Sequence, residues 1–93
     1  MITAVVLVTA ERSVLPTLGE ALAAVEGVSD VYSVTGEFDF VAMVRAREHD
    51  ELADIITRRI AQLPGVARTT THVAFKMYSR HDLEAMFGLG GRT

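Results

Sequence analysis

Two polar clusters interrupt otherwise apolar runs, and they hold the side chains best placed to do chemistry. The first is Thr35-Gly36-Glu37-Phe38-Asp39-Phe40. A carboxylate set between two phenylalanines needs a partner, because an uncompensated charge away from water is expensive. Asp39 either accepts hydrogen bonds from backbone N–H groups of a turn or holds the ammonium group of a ligand. Gly36 supplies the positive φ that a tight turn needs, and leaves bare backbone that a ligand carboxylate can approach. Glu37 adds a second acid at the same turn. The second cluster is Thr69-Thr70-Thr71, followed by His72. Threonine is a good strand former, so the run has a structural reason to exist. Its hydroxyls are also the sparse polar groups by which a crevice orients a small molecule. His72, in mid-strand, is a general base in an interface cavity or an interface residue hydrogen-bonded across the sheet; the second is expected.

Other chemistries lack their parts. There is no Gly-x-Ser-x-Gly elbow, no phosphate-binding lysine loop and no dinucleotide fingerprint. Gly88-Leu89-Gly90-Gly91 follows a short apolar-faced segment and stands at the end of the sequence, the wrong setting for cradling phosphate. His49, His72 and His81 have no ligand spacing and no cysteine to help them, so neither a metal nor another cofactor is expected. His49 and His81 read as solvent-facing neighbours of helix starts.

The elements that must position these residues form one domain, since 93 residues suffice for a single core. With 49% apolar residues and 23% charged, the chain folds and has apolar surface to spare. Its net charge of −3 argues against nucleic acid or anionic lipid as direct partners, because that binding depends on clustered lysine and arginine. No apolar stretch approaches the roughly 20 residues of a membrane span, and no leader pattern is visible, so a cytoplasmic protein is expected.

The segment 2–9 is apolar and β-branched at both parities and predicts a strand covered on both faces. Ser13 as N-cap, Pro16 in the first turn and the stripe Val14, Leu18, Leu22, Val25 predict a helix stopped at Gly27. Segments 28–35 and 38–47 read as strands joined by a two-residue Gly36-Glu37 hairpin of type II′. A second stripe, Leu52, Ile55, Ile56, Ile60 and Leu63, predicts a helix opened by Asp50 and ended by Pro64-Gly65, before a strand over 66–78.

Sliding the chain against itself by 38 positions superposes Val14 on Leu52, Leu18 on Ile56, Leu22 on Ile60, Val25 on Leu63, Gly27 on Gly65 and Val28 on Val66. Two copies of strand, helix, Gly-Val, strand give the order βαββαβ. Right-handed crossovers of such units interleave into an α+β, ferredoxin-like fold, a four-stranded antiparallel sheet with two helices on one face. The other face is then left with Ile, Val, Phe, Met and Tyr side chains, more apolar surface than a monomer usually shows. A second copy across a two-fold axis is the simplest cover, so a homodimer is expected. After the fourth strand, Ser79-Arg80-His81-Asp82 resembles a capping box ahead of a short C-terminal helix carrying Leu83, Met86 and Phe87 on one face. That helix packs either on a partner subunit or back on its own domain.

The run Val34-Thr35-Gly36-Glu37-Phe38-Asp39-Phe40, then Leu63-Pro64-Gly65-Val66 and Thr69-x-Thr71-x-Val73, resembles the effector-binding domain of the Lrp/AsnC (feast/famine) transcriptional regulators over essentially the whole chain. The resemblance implies a domain that dimerises through its sheets, builds rings of about eight subunits and binds an amino acid or related metabolite between dimers. It also implies that Gly36, Glu37, Asp39, Thr69 and Thr71 line the effector region. Members of that family begin with a helix-turn-helix domain, whereas here Met1 is followed directly by the first strand. The expectation is a stand-alone sensing and assembly domain, not an enzyme, that modulates a full-length regulator of the same family. The alternative is a dimeric ferredoxin-like enzyme, a cofactor-independent monooxygenase or isomerase, with His72 or Asp39 transferring a proton in a closed cavity.

Overall fold

In the computed structural model, which describes residues 1–80, the strand that is apolar at both parities lies inside the sheet, as its pattern demands. This is β1 (Ile2–Ala10). It is followed by a 3-10 turn (Arg12–Val14), α1 (Leu15–Ala23), β2 (Val28–Ser33), β3 (Phe40–Ala46), α2 (His49–Asp54) running on as a π-helical segment (Ile55–Ile60), and β4 (Val66–Val73). The sheet order is β2-β3-β1-β4, and every pairing is antiparallel. The ferredoxin-like βαββαβ arrangement is therefore present.

Alternation along the strands sends even-numbered residues of β1 and β3 to one face. Ala4, Val6, Val8, Phe40, Ala42, Val44 and Ala46 are all buried there, packed with Leu18 and Leu22 of α1 and with Leu52, Ile55 and Ile60 of the second helix. Each buried aliphatic side chain contributes about 1.5–3 kcal/mol, and the described residues bury no charged group against that gain.

The internal repeat survives as hydrogen bonding. Val25 N–H donates to Leu22 C=O and Leu63 N–H to Ile60 C=O, both at 3.1 Å, and Val28 N–H to Val25 C=O at 3.1 Å matches Val66 N–H to Leu63 C=O at 3.2 Å. Each donor and acceptor pair is 38 residues from its counterpart. The turns agree because Gly27 and Gly65 both take positive φ, 102° and 96°. Where the copies differ is the last turn of the second helix. There Ala61 N–H reaches back five residues to Ile56 C=O at 2.9 Å.

Several expected boundaries move. The first helix does not use Ser13 as its cap: the chain enters through the 3-10 turn from Glu11, with no side-chain cap bond, and Pro16 is the second residue of α1. The second helix starts from Glu48 rather than at Asp50. The 28–35 and 38–47 strands shorten to Val28–Ser33 and Phe40–Ala46, so the two-residue turn becomes a longer loop. Its register is nonetheless centred on Gly36-Glu37, because Ser33 pairs with Phe40 and Val34 N–H donates to Asp39 C=O at 3.0 Å. Pairing opens there because Asp39 turns its own N–H to Val8 C=O of β1 at 2.9 Å. β4 stops at Val73 rather than at 78, and Phe75, Met77 and Tyr78 beyond it are exposed. The C-terminal helix expected over Leu83, Met86 and Phe87, with His81 and Asp82, lies outside the described residues.

The face opposite the helices carries Val5 and Leu7 of β1, Val41 and Met43 of β3 and Tyr32 of β2. Phenylalanine and isoleucine are not among them: Phe40 is in the core and Ile2 packs against it from the helix side. The uncovered face is an apolar stripe along the two central strands rather than a wholly greasy surface, with Asp30 on the β2 edge and Arg68, Thr70 and His72 on the β4 edge.

Candidate functional site

The sheet brings the two polar clusters to the same end. Phe40 pairs with Val8, and Val8 pairs with Thr69 on its other side, so the loop ahead of Phe40 and the start of the threonine run are two strand spacings apart, about 10 Å. Thr71 lies one step further in, paired with Val6. Thr69 and Thr71 sit opposite core-facing residues of β1 and so stand on the helix side of an edge strand, half-buried. Of the three hydroxyls, the one on the face without helices is that of Thr70, paired with Leu7.

Asp39 plays the structural role its position requires, but with a partner on another strand. Its Oδ2 accepts a hydrogen bond from Ala10 N–H at 2.8 Å. That N–H points to the β3 side and is free of the sheet ladder because the β1–β3 pairing ends at Val8 opposite Phe40. A carboxylate thus closes the frayed end of β1, a charge-assisted bond contributing about 1.5–3 kcal/mol. The other carboxylate oxygen is the one a ligand cation can use.

Beside Asp39 runs a groove of about 680 Å³ between α1 and the ends of β2 and β3, walled by Pro16, Glu20, Ser33, Val34 and Phe40. It exists because α1 approaches the sheet closely at Gly19, where an added Cβ would come within 3.1 Å of Phe40, and then leaves the β2 edge open. Gly36, Glu37, Thr69 and Thr71 do not line it. The structure therefore places all five candidate residues at one end of the sheet but gathers only Asp39 into the groove. Gly36 takes φ 106° in open space, with nothing within 4 Å of where a Cβ would stand.

Three residues at this end escape a reading by motif. Glu20 and Ser33 reach the groove only through the α1–β2 packing. Thr9 carries a buried Oγ1 with no hydrogen-bond partner among the described residues. A hydroxyl ending an apolar strand was a visible signal for Thr9; for Glu20 and Ser33 there was none, since each sits on an ordinary polar position.

His72 is exposed on the uncovered face opposite Val5, and the groove is open rather than enclosed. No group of three or more His, Asp or Glu among the described residues could hold a metal ion. No helix among them is long and apolar enough to cross a membrane.

Comparison with known proteins agrees with this architecture. A protein of Thermus thermophilus superposes with a TM-score of 0.80 at 48% identity, covering 86% of this chain and all of that one. A feast or famine regulatory protein of M. tuberculosis complexed with L-methionine superposes with a TM-score of 0.73 at 29% identity, covering 86% of this chain and 54% of that one. In sequence, an uncharacterized HTH-type transcriptional regulator of Pyrococcus furiosus is 34% identical over 58 residues, 62% of this chain and 39% of the regulator. The chain thus aligns with less than half of that relative's length. The family model for the Lrp/AsnC ligand binding domain matches residues 3–83, and with the repeat, the sheet order and the polar end of the sheet in agreement, the chain belongs to the Lrp/AsnC ligand-binding domain family.

Proposed function

We propose that this domain senses an amino acid or a closely related metabolite, assembles as a homodimer and higher oligomers, and through that assembly modulates an Lrp/AsnC-type transcriptional regulator. The observation that carries the reading is the convergence of Asp39, Gly36 and the threonine strand at one end of the sheet, in a family one of whose members, at 29% identity, was crystallised with L-methionine. An α-amino acid carries an ammonium group and a carboxylate. The second oxygen of Asp39 suits the first, and the bare backbone at Gly36 suits the second. Glu37, Thr69 and Thr71 border the same end and complete the proposed effector region between subunits.

The apolar stripe on the uncovered face supports assembly: Val5, Leu7, Val41 and Met43 are contiguous across the pairing of β1 with β3. A second copy laid on that stripe removes it from water. Regulation, rather than catalysis, is favoured because no charged side chain is buried among the described residues and the groove beside Asp39 is open to solvent.

A ligand that binds only the folded assembly raises the melting temperature by linkage, by about 2.7 kcal/mol of added stability at a hundred times its dissociation constant. A thermal-shift screen of the twenty amino acids, combined with light scattering, is the test. The expected result is a rise in melting temperature for a subset of amino acids with a change in assembly mass. Absence of any shift across all twenty and in every assembly state would remove the sensing function.

A further inference from the structure

The end of the sheet remote from Asp39 carries the opposite chemistry. Thr3 stands near the start of β1 there, about 20 Å along the strand from Thr9 at the other end. It pairs with Arg45 of β3 on one side, and on the other its C=O accepts a hydrogen bond from Ala74 N–H at 2.8 Å. Thr3 and Arg45 point to the face without helices, since their alternating neighbours Ala4, Val44 and Ala46 are in the core. Past Ala74 the chain bends at Phe75 and leaves the ladder, because β1 begins at Ile2 and has no further length to pair with. These strand ends enclose a pocket of about 260 Å³ walled by Met1, Thr3, Arg45, Phe75, Lys76 and Met77. Small-molecule pockets run about 300–1,000 Å³, so this one suits a compact ligand.

The charges of the pocket are of one sign. Arg45 and Lys76 line it, and no Asp or Glu does. Neither cation makes an ion pair among the described residues, whose two ion pairs both belong to Asp54. In a chain of net charge −3, two uncompensated cations meeting at one pocket are a departure from the general trend. Both are anchored. Arg45 is held at its backbone on both sides, by the pairing with Thr3 and by a bond from its N–H to Gly27 C=O at 2.9 Å. The Lys76 ammonium stands 5.0 Å from the centroid of the Tyr78 ring, a cation–π contact that restrains it. The remaining walls are apolar and wet: Phe75 and Met77 are 103% and 74% exposed. Of the large apolar side chains exposed among the described residues, all but Tyr32 belong to the Met1 and Val73–Tyr78 segments that meet at this corner.

We infer that this pocket binds a compact carboxylate that has an apolar body and no ammonium group, such as a branched or aromatic α-keto acid. The Arg45 guanidinium presents paired N–H donors that match a carboxylate. The Lys76 ammonium and the Thr3 hydroxyl are donors for a neighbouring keto oxygen, and Phe75 and Met77 cover the body of the ligand. An α-amino acid is rejected by repulsion, because its ammonium group would enter a pocket with two cations and no acid. An inorganic anion satisfies the charges but leaves Phe75 and Met77 in water. The inference does not rest on the amino-acid reading of the Asp39 end. Together the two readings give the sheet one end for the aminated and one for the deaminated form of a carbon skeleton, compounds that transamination or oxidative deamination interconverts.

Calorimetric titration of the full chain with ketoleucine, L-leucine and inorganic phosphate, read beside amide chemical shifts by NMR, is the test. Ketoleucine is expected to bind saturably, with shifts concentrated at Thr3, Arg45 and Ala74, and neither L-leucine nor phosphate at equal concentration is expected to displace it. R45Q is expected to raise its dissociation constant about tenfold or more, and K76Q and F75S about threefold each. R68Q, which removes an arginine from the same face at the other end of the sheet, is expected to leave it unchanged. All four side chains are exposed, so the core is untouched, and circular dichroism confirms the fold of each variant. No binding of ketoleucine at millimolar concentration, or binding that R45Q does not weaken, overturns the site. Displacement by phosphate overturns the apolar part of the ligand class, and displacement by L-leucine overturns the exclusion of the ammonium group.

Discussion

The two faces of the sheet are cut from the same strands, yet they solve opposite problems. On the helix side, Ala4, Val6, Val8, Ala42, Val44 and Ala46 lie at 0–1% exposure beneath the two helices. One residue along each strand, on the other side, Val5, Leu7, Val41 and Met43 are only half-buried, by their own neighbours, and Tyr32 is 56% exposed. Charged residues are absent from the first set and ring the second. The difference teaches that apolar character in a strand has two destinations. Where side chains are small and uniformly buried, they close a core within the chain; where aliphatic side chains are flanked by Asp30, Arg45, Arg68 and His72, they make a surface that is soluble at its rim and sticky at its centre.

The comparison breaks first under a charge. Val44→Asp buries a carboxylate among Val6, Ala42 and Ile55 with no partner, and is expected to remove most of a stability that for such a domain totals about 5–15 kcal/mol. Loss of the cooperative transition in urea, read by circular dichroism, checks it. The same charge at Leu7, one strand over and on the other face, is expected to leave the helical signal intact and abolish self-association. If both variants unfold, the faces are not distinct; if Val44→Asp folds normally, the core is elsewhere.

A smaller effect separates two glycines with nearly the same backbone. Gly27 and Gly36 have φ of 102° and 106°, and each resists a side chain on that account by about 1–2 kcal/mol. At Gly27 an added Cβ also strikes Ile55, a core residue with 0% exposure, whereas at Gly36 it meets nothing within 4 Å. Gly27→Ala is therefore expected to cost about 2–4 kcal/mol, the backbone term plus overpacking, and Gly36→Ala only the backbone term. Chemical denaturation of the two variants gives the contrast directly. Equal losses would mean that the approach of the second helix to the first turn contributes nothing.

Most of this architecture was legible in the sequence. The 38-residue offset between Leu22-Val25-Gly27-Val28 and Ile60-Leu63-Gly65-Val66 gave the topology without any tertiary information, because each position repeats the same demand: helix face, helix stop, strand start. The Gly36-Glu37 pair correctly centred the hairpin, since register follows from symmetry about the turn. What it could not show was that the Asp39 carboxylate reaches across to β1 to serve Ala10. That contact joins residues 29 apart in the chain and depends on the β1–β3 pairing ending at Val8, which leaves the next N–H on that side unpaired. The threonines were legible as a strand but not as a face, because alternation assigns sides only once Thr69 is known to oppose Val8. Glu20 and Ser33 owe their place in the groove to how α1 tilts over β2, and no local pattern encodes a tilt.

The smallest expected effect sharpens what holds the covered face together. Asp54 is ion-paired with Arg58 at 3.6 Å and with Arg59 at 3.2 Å on the outer side of the second helix, and Arg59 in turn donates to Glu26 C=O at 2.8 Å, tying that helix to the turn after the first. This is the most connected polar cluster over the core among the described residues, and it has the look of a clasp. Yet the Arg58 side chain is 83% exposed and the other two about a third or more, so water and salt screen the pairs, and exposed ion pairs contribute about 0–1 kcal/mol. Asp54→Ala is accordingly expected to lower stability by less than about 1 kcal/mol, and by less still at high salt. Arg59→Ala, which also gives up the bond to Glu26, is expected to cost slightly more and to keep that excess when salt is added. A loss at Asp54 comparable to that of Gly27→Ala in the same denaturation assay would show that the helices are held to the sheet by charge rather than by Leu18, Leu22, Ile55 and Ile60, and the contrast between a packed face and a charged one would fail on its packed side.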